Sequence, residues 1–262
     1  MKLSISNIGW SAEQDLKMYE LMKKYGYSGL EIAPTRIFPK EPYDQTKKAQ
    51  TWSEQLRQEY NLSISSMQSI WYGRKEKLFG TEWERKFLIE YTQKAIDFAA
   101  AMNCKNLVFG CPRNRVMLRD EDWSIGVSFF REIAEYALSK GTVIGMEANP
   151  SIYHTNFIND TRAALEIIKE VNSKGFLLNL DLGTMIQNEE QPEALRGNVK
   201  YINHVHISEP NLKPIEKRKL HETIRDILLI ENYRGFVSVE MGQEAELRML
   251  ECKLSYIKEV FG

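Results

Sequence analysis

Short runs rich in Leu, Ile, Val and Phe alternate along the chain with longer stretches whose apolar residues recur every three or four positions. Runs of that length suit buried strands, and the longer period suits amphipathic helices. The runs predict strands at 3–7, 29–33, 62–67, 106–110, 143–147, 176–181, 201–207 and 236–241. The periodic stretches predict helices at about 13–25, 43–60, 82–102, 123–139, 161–172, 192–197, 219–231 and 244–260. In the first helix Leu16, Tyr19, Leu21 and Met22 mark the apolar positions, and Gly26 is its expected stop.

Eight strand-helix units without a Pro-, Gly- or Ser-rich linker predict an α/β fold, a (β/α)8 TIM barrel forming a single domain over residues 1–262. A doubly wound open sheet competes with this reading, and the count of eight argues against it. No GxGxxG follows the first strand and no GxxxxGK[ST] occurs, so the phosphate cradles of dinucleotide and P-loop proteins are missing.

Composition narrows the class further. Apolar residues make up 43% and charged residues 27%, which is ordinary for a soluble globular protein. No apolar run reaches the roughly 18 residues of a transmembrane helix, and the opening MKLSISNIGW lacks a signal-peptide profile, so a cytoplasmic location is expected. Cys104, Cys111 and Cys252 show no CxxC spacing and read as unpaired thiols. A net charge of −1 gives no basic excess for following a nucleic acid backbone.

The chemistry lies at the strand ends. In a barrel, catalytic residues come from strand C-termini and the loops beyond them. Reading those positions gives Asn7, Glu31, Gln68, Glu147, Asp181, His206 and Glu240. The last four follow one another at intervals of 34, 25 and 34 residues, the length of one strand-helix unit each. Three carboxylates gathered with an imidazole on one rim form a cluster of negative charge that repels itself unless a cation is present. The set is oxygen-rich and predicts one divalent metal ion, Mn2+ first, with Mg2+, Co2+ or Zn2+ as alternatives.

The segments GLEIA at 29–33, VIGMEANP at 143–150, LNLDLGT at 178–184, INHVHISEP at 202–210 and GFVSVEMG at 235–242 carry a family resemblance. Through them the chain resembles the xylose isomerase-like sugar isomerase/epimerase superfamily, which includes ketose 3-epimerases, hydroxypyruvate isomerase, inosose dehydratase and endonuclease IV. The resemblance implies that Glu147, Asp181, His206 and Glu240 ligate one divalent ion. Two positions depart from the pattern: Thr184 stands where many members carry a histidine, and Asn211, Leu212 and Lys213 stand where several epimerases carry an arginine. Endonuclease IV has further histidines on early strands, whereas all four histidines here lie at 154 or later, which argues against a three-zinc nuclease site.

The expected activity is that of a metal-dependent sugar or sugar-phosphate isomerase/epimerase. A metal-stabilised ene-diolate forms by proton transfer, with Glu147 and Glu240 as the catalytic carboxylates. A keto-polyol dehydratase of the inosose type and a non-catalytic sugar-binding barrel are the alternatives. Glu31, Gln68, Trp71, Arg113, His204, Glu209, Lys213 and His221 are candidate substrate contacts or orienting residues. Arg115 joins Arg113 as a candidate for an anionic substrate end, and Trp10, Phe38 and Tyr72 join Trp71 as aromatic residues expected to wall the pocket or a subunit contact. The expected partner is a small sugar or sugar phosphate, with no nucleic acid and no membrane. A homodimer or homotetramer is compatible with a barrel of this size.

Overall fold

A computed structural model describes residues 1–262. Its eight strands are all parallel and close into a barrel in the order β1-β2-β3-β4-β5-β6-β7-β8. They are β1 (Lys2–Ser6), β2 (Gly29–Ile32), β3 (Ser63–Met67), β4 (Leu107–Phe109), β5 (Ile144–Met146), β6 (Phe176–Asp181), β7 (Ile202–Ile207) and β8 (Phe236–Val239). Closure comes from β8 against β1, with Lys2 opposite Phe236 and Ile5 opposite Val239.

The helices are α1 (Asp15–Lys24), α2 (Pro34–Ile37), α3 (Thr46–Tyr60), α4 (Glu82–Ala101), α5 (Asp122–Ser139), α6 (Thr161–Val171), α7 (Leu182–Gln187), α8 (Lys219–Ile230) and α9 (Leu247–Phe261). Local chemistry fixes several boundaries. Thr81 and Glu84 form a reciprocal capping box at the start of α4. The Asp160 carboxylate accepts the Ala163 amide at 2.7 Å at the start of α6. Beyond α1, Gly26 takes a φ of +73°, the left-handed turn expected of a stop residue. None of the helices is long and apolar enough to cross a membrane.

Two helical expectations shift. The residues at 42–45 form a 3-10 turn, so α3 starts at Thr46. The expected helix at 192–197 is a 3-10 turn at Pro192–Leu195, and the α-helix of that unit is α7, directly after β6. Asp181 caps this turn by accepting the Thr184 amide. A Cβ at Gly183 would lie 2.8 Å from Ser208 Oγ, so the close approach of α7 to β7 requires glycine. The short α2 begins with Pro34 at its first position, where a missing amide donor costs nothing.

Alternation along the strands separates two environments. Leu3, Ile5, Leu30, Ile32, Leu107 and Phe109 belong to the continuous apolar core. The lumen is lined differently. The Ser4 and Ser65 hydroxyls meet at 2.6 Å, Asn106 Nδ2 lies 3.4 Å from Asn179 Oδ1, and Glu31 Oε2 lies 2.9 Å from His206 Nε2. Each contact joins strands that are not neighbours in the sheet, so it crosses the inside of the barrel. TIM barrels usually fill this space with Val, Ile and Leu. Here small and polar side chains fill it, and the layer toward the strand C-termini carries the ionisable groups.

Candidate metal centre

Glu147, Asp181, His206 and Glu240 converge at the C-terminal mouth of the barrel. One donor atom from each lies within 4.8 Å of all the others. Hard divalent ions bind oxygen at roughly 2.0–2.6 Å, so donors on opposite sides of one ion stand about 4–5 Å apart, and the cluster has the size to hold one. Its electrostatics point the same way. Burial, together with Glu147, raises the Asp181 carboxyl. Burial pushes the Glu240 carboxyl up to about 7, with Glu147 and Glu31 adding to the rise. Too little positive charge surrounds these acids among the protein groups alone, and a divalent cation bound there would supply it.

The orientation of each donor is built from neighbouring residues. His206 Nδ1 lies 3.0 Å from Glu147 and 3.2 Å from Glu240, while Nε2 faces Glu31 Oε2 at 2.9 Å. With the proton on Nε2 donated to Glu31, the Nδ1 lone pair points into the cluster, the carboxylate-histidine arrangement common behind metal sites. His204 Nε2 lies 3.1 Å from the same Glu31 oxygen but makes no well-aligned hydrogen bond. Burial opposes ionisation of Glu31, yet the two imidazoles override it and hold its carboxyl below the ordinary range. Burial likewise opposes the imidazolium of His206, and Glu240, Glu31 and Glu147 outweigh it and raise its pKa well above 6.5.

Asp181 is held from both ends. Its Oδ2 accepts the Thr184 amide at 2.7 Å and the Thr184 hydroxyl at 2.8 Å, and its Oδ1 accepts the Ser208 hydroxyl. Ser208 Oγ in turn accepts the Gly183 amide at 2.8 Å. Thr184 also donates to the Ala148 carbonyl at 2.8 Å, so the position that departs from the resembled pattern ties α7 to the segment that follows β5.

Glu147 accepts the Asn179 amide at 2.9 Å and the Asn149 amide at 3.2 Å. Arg115 stands behind them. Its guanidinium donates to the Gly110 carbonyl at 2.6 Å, the Glu147 carbonyl at 2.9 Å, Asn149 Oδ1 at 2.7 Å and the Phe157 carbonyl. A Cβ at Gly110 would lie 2.8 Å from Glu147 Oε2, so glycine there leaves room for the carboxylate.

The donors open into a cavity of about 230 Å3, whose wall includes Ile8, Gln68, Val108, Tyr153, Glu209 and Leu212. Among the candidate substrate contacts, Gln68 and Glu209 therefore reach the cavity. Gln68 also donates to Ser6 Oγ at 2.6 Å. Glu209 is committed to a bidentate pair with Arg218 at 2.7 and 2.6 Å. Glu31 and His204 lie beneath the donors and are buried.

Other candidates fall elsewhere. Trp71 is buried, packs edge-on against Phe109 and Phe129, and donates to Thr92 Oγ1 at 2.8 Å, which makes it a core residue rather than a cavity wall. Trp10 is buried and donates to Asp15 at 2.7 Å, and Phe38 packs against Trp52 and Phe98. Tyr72 is 69% exposed, against the expectation of cover. Arg115 is fully buried with its donors spent on protein oxygens, so it is not free for an anion. Arg113 and Lys213 are exposed and stand outside the cavity wall. His221 is buried between α8 and α9, with Nδ1 2.9 Å from the Tyr256 hydroxyl.

Sequence reading passed over Asn179, Asn149, Ser208 and Tyr153. For the first three the signal was available, since each lies two residues from a donor and so shares its face or continues its strand direction. Tyr153 reaches the cavity from the β5–α6 connection, with its hydroxyl accepting the Asn211 amide at 2.8 Å.

A family profile described as the xylose isomerase-like TIM barrel matches residues 19–256. Among solved structures, 3-keto-D-glucoside 4-epimerase from E. coli is similar at a TM-score of 0.80, with 20% identity over 99% of both chains. D-psicose 3-epimerase from Clostridium cellulolyticum H10 has a TM-score of 0.79 and 17% identity, over 100% of this chain and 99% of its own. A family 2 AP endonuclease from Brucella melitensis has a TM-score of 0.76 and 18% identity over 99% of both chains. No curated protein matches the sequence.

Proposed function

The chain belongs to the xylose isomerase-like TIM-barrel family, and from that premise we propose that it is a divalent-metal-dependent sugar isomerase or epimerase. The observation that carries the reading is the placement of Glu147 and Glu240 at 3.0 and 3.2 Å from His206 Nδ1, with both carboxylates on the wall of one cavity. Likeness to barrels described as sugar epimerases supports the same class.

Glu147, Asp181, His206 and Glu240 would hold the ion, Mn2+ or Mg2+ by the hardness of the donor set and Co2+ or Zn2+ by tolerance. When bound, the ion supplies positive charge where a hydroxy-ketone develops an ene-diolate. The protein's own groups do the rest. One of the two glutamates removes the proton from the carbon beside the carbonyl, and the other returns a proton to the opposite face, which inverts the centre. Return by the same carboxylate to the neighbouring carbon gives aldose-ketose isomerisation instead.

Each glutamate is aimed by fixed donors. Glu147 is oriented by two side-chain amides and, through its backbone, by Arg115. Glu240 leaves β8 with its amide bonded to the Ile207 carbonyl at 2.9 Å, which fixes its root beside His206. Ile8, Val108 and Leu212 line the cavity and limit the water that reaches the reacting carbons.

Incubation of Mn2+-loaded protein with a panel of ketoses in D2O tests the proposal. Deuterium is expected at the carbon next to the carbonyl, with epimer or isomer accumulating. Sugar binding without exchange would overturn catalysis, and loss of water without epimerisation would assign the site to a dehydratase.

A further inference from the structure

The cavity does not end at the barrel mouth. Ile8 and Ser69, which form part of its wall, also line a groove of about 870 Å3 between the segments that follow β1, β2 and β3. Small-molecule sites commonly measure roughly 300–1,000 Å3. The cavity, at about 230 Å3, falls below that range, and the groove adds adjoining space for a longer molecule.

The groove carries cationic groups with no protein partner. Arg74 forms no ion pair within 4 Å, and its buried Nε has no acceptor. Its guanidinium carbon sits 4.9 Å from the centre of the Tyr91 ring, a cation–π contact that holds the group on this wall. A guanidinium held in place and lacking an acceptor is a suitable fork for a carboxylate or phosphate. Arg36 on the same wall shows the contrast, since Asp15 binds it at 2.6 and 3.3 Å and the Trp10 carbonyl at 3.2 Å. Lys40 is exposed and also unpaired, while Glu41 is the acid on this wall.

At the junction with the cavity, Ser69 lines both spaces and holds a left-handed φ of +56°. Exposed Tyr72 adds a ring beside Arg74. Such backbone conformations concentrate at binding sites when the surrounding structure maintains them.

We propose that this groove binds an anionic group, a phosphate monoester or a carboxylate, at the end of the substrate remote from the reacting carbons, with Arg74 as the principal contact and Lys40 as the second. The identity of the rest of the substrate as a ketose rests on the isomerase/epimerase reading.

The test measures binding of D-fructose, D-fructose 6-phosphate, D-fructuronate and inorganic phosphate to Mn2+-loaded protein by calorimetry, alongside deuterium exchange in D2O. The wild type is expected to bind one of the anionic ketoses at least about tenfold more tightly than D-fructose. Arg74→Met should lose about 10- to 100-fold of affinity for that ligand and for inorganic phosphate, leave D-fructose unchanged, and raise KM more than it lowers kcat. Arg74→Lys should recover part of the loss, and Lys40→Met, at an exposed position, should lose less.

Tighter binding of the phosphate ester over the carboxylate, or the reverse, identifies the anion. Equal affinity for D-fructose and both anionic ketoses, or phosphate binding unchanged in Arg74→Met, overturns the proposal. If exchange into ketoses accompanies that result, the isomerase/epimerase reading stands alone. Arg74-dependent anion binding with no exchange into any ketose supports the groove and counts against that reading.

Discussion

Replacing Glu31 by Gln isolates the support behind the metal donors from the donors themselves. Glu31 Oε2 accepts from His206 Nε2 at 2.9 Å, and neither side chain is exposed to solvent. This bond selects the tautomer that leaves the Nδ1 lone pair facing Glu147 and Glu240. A hydrogen bond to a charged group contributes about 1.5–3 kcal/mol, and each 1.4 kcal/mol is about tenfold in an equilibrium constant. Metal affinity is therefore expected to fall by roughly 10- to 100-fold, the range typical for partners behind a ligating histidine. Glutamine keeps the length of the side chain but offers one acceptor, and its amide is equally placed to turn toward His206. Competition between the protein and a fluorescent chelator for Mn2+ reads the affinity, and cooperative melting of the metal-free variant checks that the barrel remains folded. A folded Glu31→Gln protein with Mn2+ affinity within twofold of wild type would refute the orienting role.

Glu147→Gln and Glu240→Gln should each lower turnover by about 10²- to 10⁴-fold, and near-normal turnover in either variant would remove the two-carboxylate mechanism. Metal affinity should climb as pH rises through about 7, because Glu240, raised to about 7, and His206, raised well above its ordinary value, must give up protons for the ion. Titration calorimetry in buffers of different ionisation enthalpy should show net proton release below pH 7. His221 is pushed down to about 4 by burial, so the folded protein binds fewer protons than the unfolded chain between about pH 4 and 6.5. Its contribution is therefore complete above pH 6.5 and is lost as pH falls toward 4, by up to about 3 kcal/mol. Denaturation of wild type and His221→Leu at pH 4.5 and 7.5 should show a smaller pH effect in the variant, and equal effects would discount the histidine.

Strand order and the convergence of Glu147, Asp181, His206 and Glu240 were legible because barrels repeat one unit, so residues at equivalent points of successive units share a rim. The boundary of α7 was not, because it depends on Asp181 capping the turn and on Ser208 filling the space that Gly183 leaves. Propensity alone reads Gly183 as an interruption. Arg115 looked like a loop cation from its neighbours in sequence, and its burial follows from carbonyls contributed by residues 110, 147 and 157, which meet only in the closed barrel. The aromatic residues of the early loops misled for a related reason. Trp10 and Trp71 turn inward to satisfy their indole donors at Asp15 and Thr92, leaving Tyr72 outside. Arg74 and Lys40 drew no notice because nothing in sequence distinguishes an unpaired cation from a paired one.

The polar lumen separates what holds this barrel together from what it does. Apolar burial sits in the ring between strands and helices, where Leu3, Ile5, Leu30 and their counterparts pack, while the pairs Ser4–Ser65 and Asn106–Asn179 hydrogen-bond across the interior. Exchanges among these small polar residues remove little apolar contact. Successive generations of variants can therefore redraw the floor of the reaction chamber while the outer wall keeps its grip. For directed evolution this makes the lumen a region where paired exchanges that keep each hydrogen bond satisfied can reshape the chamber floor without thinning the apolar wall.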